Sequence, residues 1–402
     1  MTQADGAAAV DVCVVGGCGR VGLPLGIALA SRGLSVVLYD IDAAAVDRVN
    51  SGSLPFAEEG AAEPLTEALA AGRLRASTEA TSVGLADTLV VVVGTPVDEH
   101  LNPDLSAVPR ALERCAEHLH DGQLVVLRST VYPGVTALTE KLLASRGLTV
   151  DVAFCPERIA EGRAMTELFT LPQIVAARTP RAMERAELLF RRLTDSIVAL
   201  EPEEAELAKL FTNTWRYVKF ATANQFWMMA NDFGLDFARI RHAVAFDYPR
   251  AADLPMPGFA AGPCLLKDTM QLAAFNRNNF VLGHSAMLIN EGLPLYLVSR
   301  LEDRFDLATM TVGILGMAFK GGSDDSRSSL AYKLRKILRL KAGETLCTDP
   351  YVVDDDRILP LDEVLRRADL LVIAAPHADY ADLDTDQPLI DMWGLTGRGV
   401  RV

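Results

Sequence analysis

Residues 10–24 read VDVCVVGGCGRVGLP: an apolar run, Val10 to Val15, enters a glycine turn and then a helix-forming stretch. Gly17-Cys18-Gly19-Arg20-Val21-Gly22 has G-x-G-x-x-G spacing. In this strand, turn and helix setting the first glycine makes the tight turn, the second admits a pyrophosphate to the backbone, and the third lets the helix pack closely. A second apolar run, Ser35 to Asp40, ends in a carboxylate 18 residues beyond Gly22. A carboxylate there accepts hydrogen bonds from an adenosine ribose and repels a 2′-phosphate. The stretch predicts a Rossmann-type domain that binds NAD in preference to NADP through Gly17, Cys18, Gly19, Arg20, Val21, Gly22 and Asp40.

Further strands are predicted at Thr88 to Val93, Leu124 to Leu127, Asp151 to Phe154 and Gln173 to Ala176, with helices at Ala107 to Leu119 and Val135 to Ala144. Continuous apolar strands alternating with helices indicate a parallel sheet covered on both faces. From Glu203 to Asn231 the pattern becomes one helix with almost no punctuation, long enough to connect domains or line a subunit interface. A Pro/Gly-rich loop, DYPRAADLPMPGFAAGPCLLKD (247–268), follows. Such a loop is unusual in a compact domain unless it serves a site. At Thr311 an apolar strand again enters a glycine turn, then a helix at Leu330 to Leu340 and strands at Glu344 to Thr348 and Ala368 to Ala374. The expected fold is α/β, with two Rossmann-like domains of parallel sheet joined by a long central helix. The expected divisions are 1–200, 201–305 and 306–402.

A chain of 402 residues suits two or three domains, and its formal charge of −14 opposes broad binding to nucleic acid. The six cysteines show no CxxC spacing, so reduced thiols are expected. The N-terminal MTQADGAAAVD has no leader pattern, and no apolar stretch is long enough to span a bilayer. These features predict a cytoplasmic protein with no membrane partner. His100, His118, His120, His242, His284 and His377 lack ligand spacing, so no metal is expected and the histidines read as exposed or packing residues. GxSxG is absent.

Thr95-Pro96 and Ser129-Thr130 each follow a predicted strand, at the carboxyl edge where such sheets hold ligands, although hydroxyls there also serve as caps and turns. Glu157 lies at the same edge. Lys209 and Asn213 are four apart on the long helix and share a face, where an ammonium and an amide can meet developing negative charge or simply face solvent. Cys264 follows Gly262-Pro263. If a helix begins near it, Cys264, Lys267 and Asp268 lie on one side of the first turn, and both the helix terminus and Lys267 favour the nucleophilic thiolate. Asp268 is then placed to orient or deprotonate water, or serves only as an N-terminal helix charge.

In order, GCGRVGLP (17–24), STVYPG (129–134), CPERIAEG (155–162), AELAKLFTNTWR (205–216), PGFAAGPCLLKD (257–268) and GMAFKGGSDDSRSS (316–329) resemble the UDP-glucose/GDP-mannose dehydrogenase family over nearly the whole chain. The resemblance implies an N-terminal NAD domain, a central helical dimer interface and a C-terminal nucleotide-sugar domain. It also implies oxidation of C6 of a nucleotide-activated hexose in two NAD-dependent steps, in polysaccharide biosynthesis. It places the catalytic thiol at Cys264, supported by Lys209, Asn213 and Asp268, with Thr130 and Glu157 organising water. Beyond the glycine turn, the implied cofactor contacts are Thr95, Thr130, Lys267 and Arg327. The implied substrate contacts are Glu157, Arg158, Lys209, Asn213, Phe259, Gly262, Phe319 and Lys320, and Arg250 reaches the substrate of a neighbouring subunit in a homodimer.

CPER and Tyr248-Pro249-Arg250 look closer to the UDP-N-acetylhexosamine branch, especially UDP-N-acetylmannosamine dehydrogenases, than to the UDP-glucose branch. Ala260-Ala261-Gly262-Pro263, Leu266 and Lys320-Gly321-Gly322-Ser323-Asp324-Asp325 depart from frequent family patterns and point to a differently shaped sugar pocket. The implied chemistry is hydride transfer to give an aldehyde, addition of Cys264, a second hydride transfer to give a thioester, and hydrolysis. The alternatives are a UDP-glucose or GDP-mannose 6-dehydrogenase with the same chemistry, and a noncatalytic NAD-binding scaffold.

Overall fold

The computed structural model describes residues 10–98, 100–260, 262–398 and 401–402. Met1 to Ala9, read above for a leader, and Ala261 of the loop before Cys264 lie outside the described residues. Contacts divide the chain into two compact units, Met1–Leu210 and Phe211–Val402.

The first unit holds strands β1 (Val10–Val15), β2 (Val36–Tyr39), β3 (Leu74–Ser77), β4 (Ala86–Val91), β5 (Leu124–Leu127), β6 (Asp151–Phe154), β7 (Gln173–Ala177) and β8 (Ile197–Leu200). They form one sheet in the order β3-β2-β1-β4-β5-β6-β7-β8. The alternation of side chains along a strand explains why both faces are covered. Val12 and Val14 of β1 join Val36 and Leu38 of β2 in one apolar cluster, while Cys13 and Val15 join Val37 and Tyr39 in another. Strand order reverses between β1 and β4, so their carboxyl ends flank a crevice, the usual ligand position of an open α/β sheet.

Two strands of this sheet, β3 and β8, were not read from sequence. Both are edge strands without a fully buried apolar run: β3 carries the exposed Arg75, and β8 is exposed at Val198 and Ala199. The sheet is parallel as expected except at one pair, where β7 runs antiparallel to β6. The chain turns back through the loop after Phe154 and the seven-residue helix Ala164–Thr170. The predicted helix at Ala107 to Leu119 is interrupted, with helix Ala107–Glu113 followed by a 3₁₀ turn at Ala116–His118.

The long helix runs over Pro202–Asp232, 31 residues. Within the second unit come helices Phe237–Ala245, Leu265–Phe275 and Val281–Glu302. A four-stranded parallel sheet follows, β9 (Thr311–Leu315), β10 (Glu344–Thr348), β11 (Leu370–Ile373) and β12 (Leu389–Ile390), in the order β10-β9-β11-β12. One face of this sheet, Val312, Ile314, Leu370 and Val372, packs with Trp227, Leu293, Leu297 and Leu334. The other, Leu315, Leu371 and Ile373, packs with Val364 and Tyr380. Among the described residues no helix is long and apolar enough to cross a membrane.

Candidate active site

The glycine turn after β1 has the shape its spacing predicts. A Cβ on Gly17 would lie 2.7 Å from Leu38 Cα, and one on Gly22 would lie 2.4 Å from Gly16 O, so both are required by packing. Gly19 differs. It is exposed, and its Cβ would meet nothing nearer than Gly16 O at 3.5 Å. The fold itself tolerates a side chain there, so the bare backbone serves whatever approaches from outside, as a pyrophosphate would.

Asp40, directly after β2, accepts the Cys18 N–H at 3.0 Å on one oxygen and the Asp42 N–H at 3.1 Å on the other. It is half-buried, and lone pairs remain for ribose hydroxyls. The guanidinium of Arg20 sits 5.0 Å from the centre of the Phe56 ring. Bare backbone at Gly19, the helix start at Gly22 and the Asp40 carboxylate together fit an adenine dinucleotide.

Neighbouring strand ends carry the other candidates of this unit. Ser129 Oγ donates to Val93 O and accepts Val93 N–H, both at 2.8 Å, and Thr95 Oγ1 donates to Thr130 O at 2.5 Å. The loops after β4 and β5 are thus stitched into one rim, which brings Thr95 and Thr130 together. Glu157, after β6, is buried beside Arg128, a residue the sequence reading missed. Arg128 Nε donates to Glu157 Oε2 at 2.8 Å, and its terminal nitrogen also pairs with that oxygen. Glu157 Oε1 accepts the N–H groups of Arg158 at 2.7 Å and Ile159 at 2.9 Å. Oε1 holds the CPER turn and Oε2 is clasped by Arg128, so the geometry gives Glu157 a part in shaping this rim. Burial lowers the affinity of Arg158 for its proton, and its guanidinium pairs with Pro172 O.

A second missed residue is Glu206. It is wholly buried and accepts Gly134 N–H at 2.6 Å, Thr136 N–H at 2.8 Å and Thr136 Oγ1 at 2.6 Å. It caps the helix Val135–Ser145 that follows STVYPG, a role hidden in sequence because donor and acceptor are 70 residues apart. Lys209, one turn further along the long helix, is buried.

In the second unit the sequence motif around Cys264 condenses into a small cluster. Cys264 is the N-cap of helix Leu265–Phe275 and is exposed. Asp268 is wholly buried; Asn213 Nδ2 donates to its Oδ2 at 2.5 Å and Lys267 Nζ to its Oδ1 at 2.5 Å. The carboxylate therefore aligns an amide and an ammonium beside the thiol's helix. The other five cysteines are buried. Burial pushes Cys13, Cys18 and Cys155 up to about 12 and Cys347 up to about 11, and raises Cys115. They behave as small apolar groups, which leaves Cys264 as the cysteine open to chemistry.

The loop before Cys264 is held by contacts the sequence did not reveal. Asn224, wholly buried, accepts Gly258 N–H at 2.8 Å and donates to Gly258 O at 3.1 Å and to Asn290 Oδ1 at 2.9 Å. Gly262 has φ of +99°, and a Cβ there would fall 2.5 Å from the Phe319 ring. Its N–H donates to Ser328 O at 3.3 Å. The Cys264 loop and the GMAFK segment are thereby brought together. Lys320 Nζ lies 5.8 Å from the centre of the Phe319 ring, and Arg327 is bound by Asp325 at 2.7 Å. Phe259 sits in the apolar core with Trp227, so any ligand contact from it comes through its backbone. Arg250 is exposed, 5.0 Å from the centre of the Tyr248 ring.

In the second sheet Asp349 follows β10 as Asp40 follows β2, and it accepts the turn N–H groups of Met317 at 2.6 Å and Ala318 at 2.9 Å. Here the carboxylate is closed off. Tyr351 N–H at 2.8 Å, Val352 N–H at 3.0 Å and His377 Nε2 at 3.1 Å occupy it as well. Burial opposes its ionisation, but the His377 bond and the N–H donors outweigh that and hold Asp349 at about 2. Asp349 is therefore not open to a ribose in the way Asp40 is.

The chain matches the UDP-glucose/GDP-mannose dehydrogenase family in three consecutive parts: the NAD binding domain over residues 10–194, the central domain over 203–291 and the UDP binding domain over 313–396. It is 32% identical over 397 residues to a UDP-N-acetyl-D-mannosamine dehydrogenase of Pyrococcus horikoshii, covering 96% of this chain and 92% of that protein. Its fold superposes on a UDP-glucose dehydrogenase from Pyrobaculum islandicum with a TM-score of 0.89 at 28% identity, covering 97% and 96% of the two chains. The structure of a UDP-D-ManNAc dehydrogenase from Pyrococcus horikoshii gives 0.85 at 31% identity, with 95% of each chain covered.

Proposed function

Because the chain belongs to the UDP-glucose/GDP-mannose dehydrogenase family, and is thereby an NAD-dependent dehydrogenase of nucleotide sugars, we propose that it oxidises the C6 hydroxyl of a UDP-N-acetylhexosamine to the uronate through a thioester on Cys264. The observation that carries this reading is the exposed thiol at a helix N-cap, one turn before a buried carboxylate that orients Asn213 and Lys267. An aldehyde could leave after one oxidation; a nucleophile of this kind retains it for the second. The N-acetylmannosamine type is favoured by CPER, Tyr248-Pro249-Arg250 and the named relatives.

NAD, when bound, accepts the two electrons of each oxidation step. The chain's residues do the rest. The N-terminal end of helix Leu265–Phe275 favours the Cys264 thiolate, which attacks the aldehyde carbon. Asn213 spends one amide N–H on Asp268, leaving the other for the oxygen that becomes negative. Lys209 shares that helix face and that duty. Losing such a donor costs about 10²- to 10³-fold in rate. Thr130 and Glu157 are assigned to the water that takes up the hydroxyl proton and later cleaves the thioester.

The same reading makes the active form a homodimer. Phe211, Trp215, Met229 and Phe233 of the long helix are more than half exposed, and a groove of about 300 Å³ lined by Phe226, Phe233, Phe237, Ile240 and Val244 lies alongside. A second copy covering this face would bring Arg250, on the loop beyond, to its partner's substrate. The proposed compartment is the cytoplasm.

The test is a panel of UDP-N-acetylmannosamine, UDP-N-acetylglucosamine, UDP-N-acetylgalactosamine, UDP-glucose and GDP-mannose, with NADH counted per acid formed. The native enzyme should yield two NADH per uronate and show sugar attached to Cys264 by intact mass during turnover. Cys264→Ser should bind both ligands but not complete turnover. A serine variant that makes the acid at near-native rate overturns the thioester, and preference for UDP-glucose or GDP-mannose overturns the substrate assignment.

A further inference from the structure

His377 follows β11 and belongs to none of the chemistry above, yet its imidazole is wholly buried with both nitrogens engaged. The ring lies 5.0 Å from that of Tyr351 and 5.7 Å from that of Tyr380. Nδ1 accepts the backbone N–H of Gly322 at 3.1 Å. A nitrogen that accepts has no proton, so the ring proton sits on Nε2, which donates to Asp349 Oδ2 at 3.1 Å. The same Asp349 oxygen takes the N–H groups of Met317 and Ala318. The segment from Met317 to Gly322 is therefore tied at both ends to one Asp–His pair, at 317–318 through the carboxylate and at 322 through the imidazole.

Between those ties lie Phe319 and Lys320, both half-exposed, and Gly321. A Cβ on Gly321 would fall 2.2 Å from Pro376 O, so the segment also lies directly against the residue before His377. Phe319 N–H also donates to Asp325 O at 2.9 Å, so the ties at 317–318 and 322 act on a segment already folded back on itself.

We propose that His377 is a positioning residue for nucleotide-sugar binding: with Nε2 turned to Asp349, its Nδ1 accepts the Gly322 N–H, and that bond sets the Phe319–Lys320 segment. This rests on the reading that the segment takes the nucleotide sugar. His377 touches no ligand itself, so its effect is on affinity and not on the chemical step.

Asn and Gln substitutions separate the two bonds. An asparagine oxygen can stand near Nδ1 and accept from Gly322, whereas a glutamine amide reaches the Nε2 position and donates to Asp349 but leaves Gly322 unpaired. Steady-state kinetics with UDP-N-acetylmannosamine, calorimetric binding of UDP and thermal melting are measured on the full-length enzyme. His377→Gln should raise the nucleotide-sugar KM and the UDP Kd by roughly 3- to 10-fold, the range expected for one backbone hydrogen bond, with kcat and the NAD KM unchanged. His377→Asn should stay within about 2-fold of native. Equal UDP binding by native and His377→Gln, equal losses in both variants, or a fall in kcat without a rise in KM overturns the proposal. Nitrogen NMR of the native enzyme tests it without any variant, since a proton found on Nδ1 also overturns it. Lys320→Ala keeps the two readings apart: if it leaves UDP binding unchanged, the assignment of the segment fails, whatever His377 does.

Discussion

Replacing Asp349 with asparagine changes one atom and should destabilise the second sheet severely. Five donors converge on the carboxylate, the N–H groups of Tyr351 and Val352 on Oδ1 and those of Met317, Ala318 and His377 on Oδ2. Asparagine keeps one acceptor oxygen and turns an NH₂ toward the donors of the other, so at least two buried N–H groups lose their partner. At about 1–3 kcal/mol for each unsatisfied buried donor, the variant should lose about 2–6 kcal/mol at pH 7. The pH dependence gives an independent check. Asp349 is held at about 2 against an ordinary 3.8, a stabilisation of about 2 kcal/mol that is present above 3.8 and lost as pH falls toward 2. The gap between native and variant should therefore narrow by about 1 kcal/mol between pH 5 and pH 3. A two-unit chain need not unfold in one step, so the measurement is hydrogen exchange of peptides from β9 and β10, with peptides from β1 and β5 as internal control. A variant within about 0.5 kcal/mol of native at pH 7, or a gap that does not change with pH, would refute the assignment of Asp349 as the ionised hub of this domain.

Asp40→Ala should weaken NAD and raise the ratio of NADP to NAD kcat/KM by about tenfold or more; an unchanged ratio would remove Asp40 from ribose recognition. Burial raises the Glu206 carboxyl above its ordinary 4.5, so its contribution is complete below 4.5 and declines as pH rises through the higher folded value. Glu206→Gln should accordingly lose stability relative to native, and the deficit should shrink from pH 4.5 upward in urea titrations. Gly262→Ala puts a methyl 2.5 Å from the Phe319 ring at φ +99°, shifting the loop that carries Cys264, and should lower kcat by about 10- to 100-fold with UDP still bound; a native kcat would show that the loop has room. Phe233→Glu, at a position 82% exposed, should give an inactive monomer by light scattering, whereas a fully active dimer would place the interface elsewhere.

Much of the frame was legible because its signals are local. The Val10 to Val15 run followed by glycines at fixed spacing specifies strand, turn and helix with no help from distant residues, and Asp40 is recognisable by its distance along the chain. The uninterrupted pattern from Glu203 to Asn231 likewise announced the Pro202–Asp232 helix, and Cys264 announced a helix start one residue before Leu265. What was missed falls into two kinds. The edge strands β3 and β8 lack the fully buried apolar run of the central strands, β12 is only two residues long, and β7 takes its antiparallel direction from the path of the chain after Phe154. The buried polar residues Arg128, Glu206 and Asn224 look like surface residues in isolation, because a charged or amide side chain is normally exposed unless it is paired.

The sequence by itself determined the α/β class, the NAD turn, the long helix and the motif order that places the chain in its family, since the first three rest on local spacing and the last on a series of short local stretches in order along the chain. Only the tertiary structure decided that Glu157 is clasped by Arg128, that Asp268 aligns Asn213 with Lys267, and that Asp349 is closed to a ribose which Asp40 could hold. The reason is physical: the role of a polar group is set by which donors and acceptors reach it once water is excluded, and decisive partners lie far along the chain, 29 residues away for Arg128 and Glu157, 32 for Met317 and Asp349 and 55 for Asn213 and Asp268, where no periodicity records them.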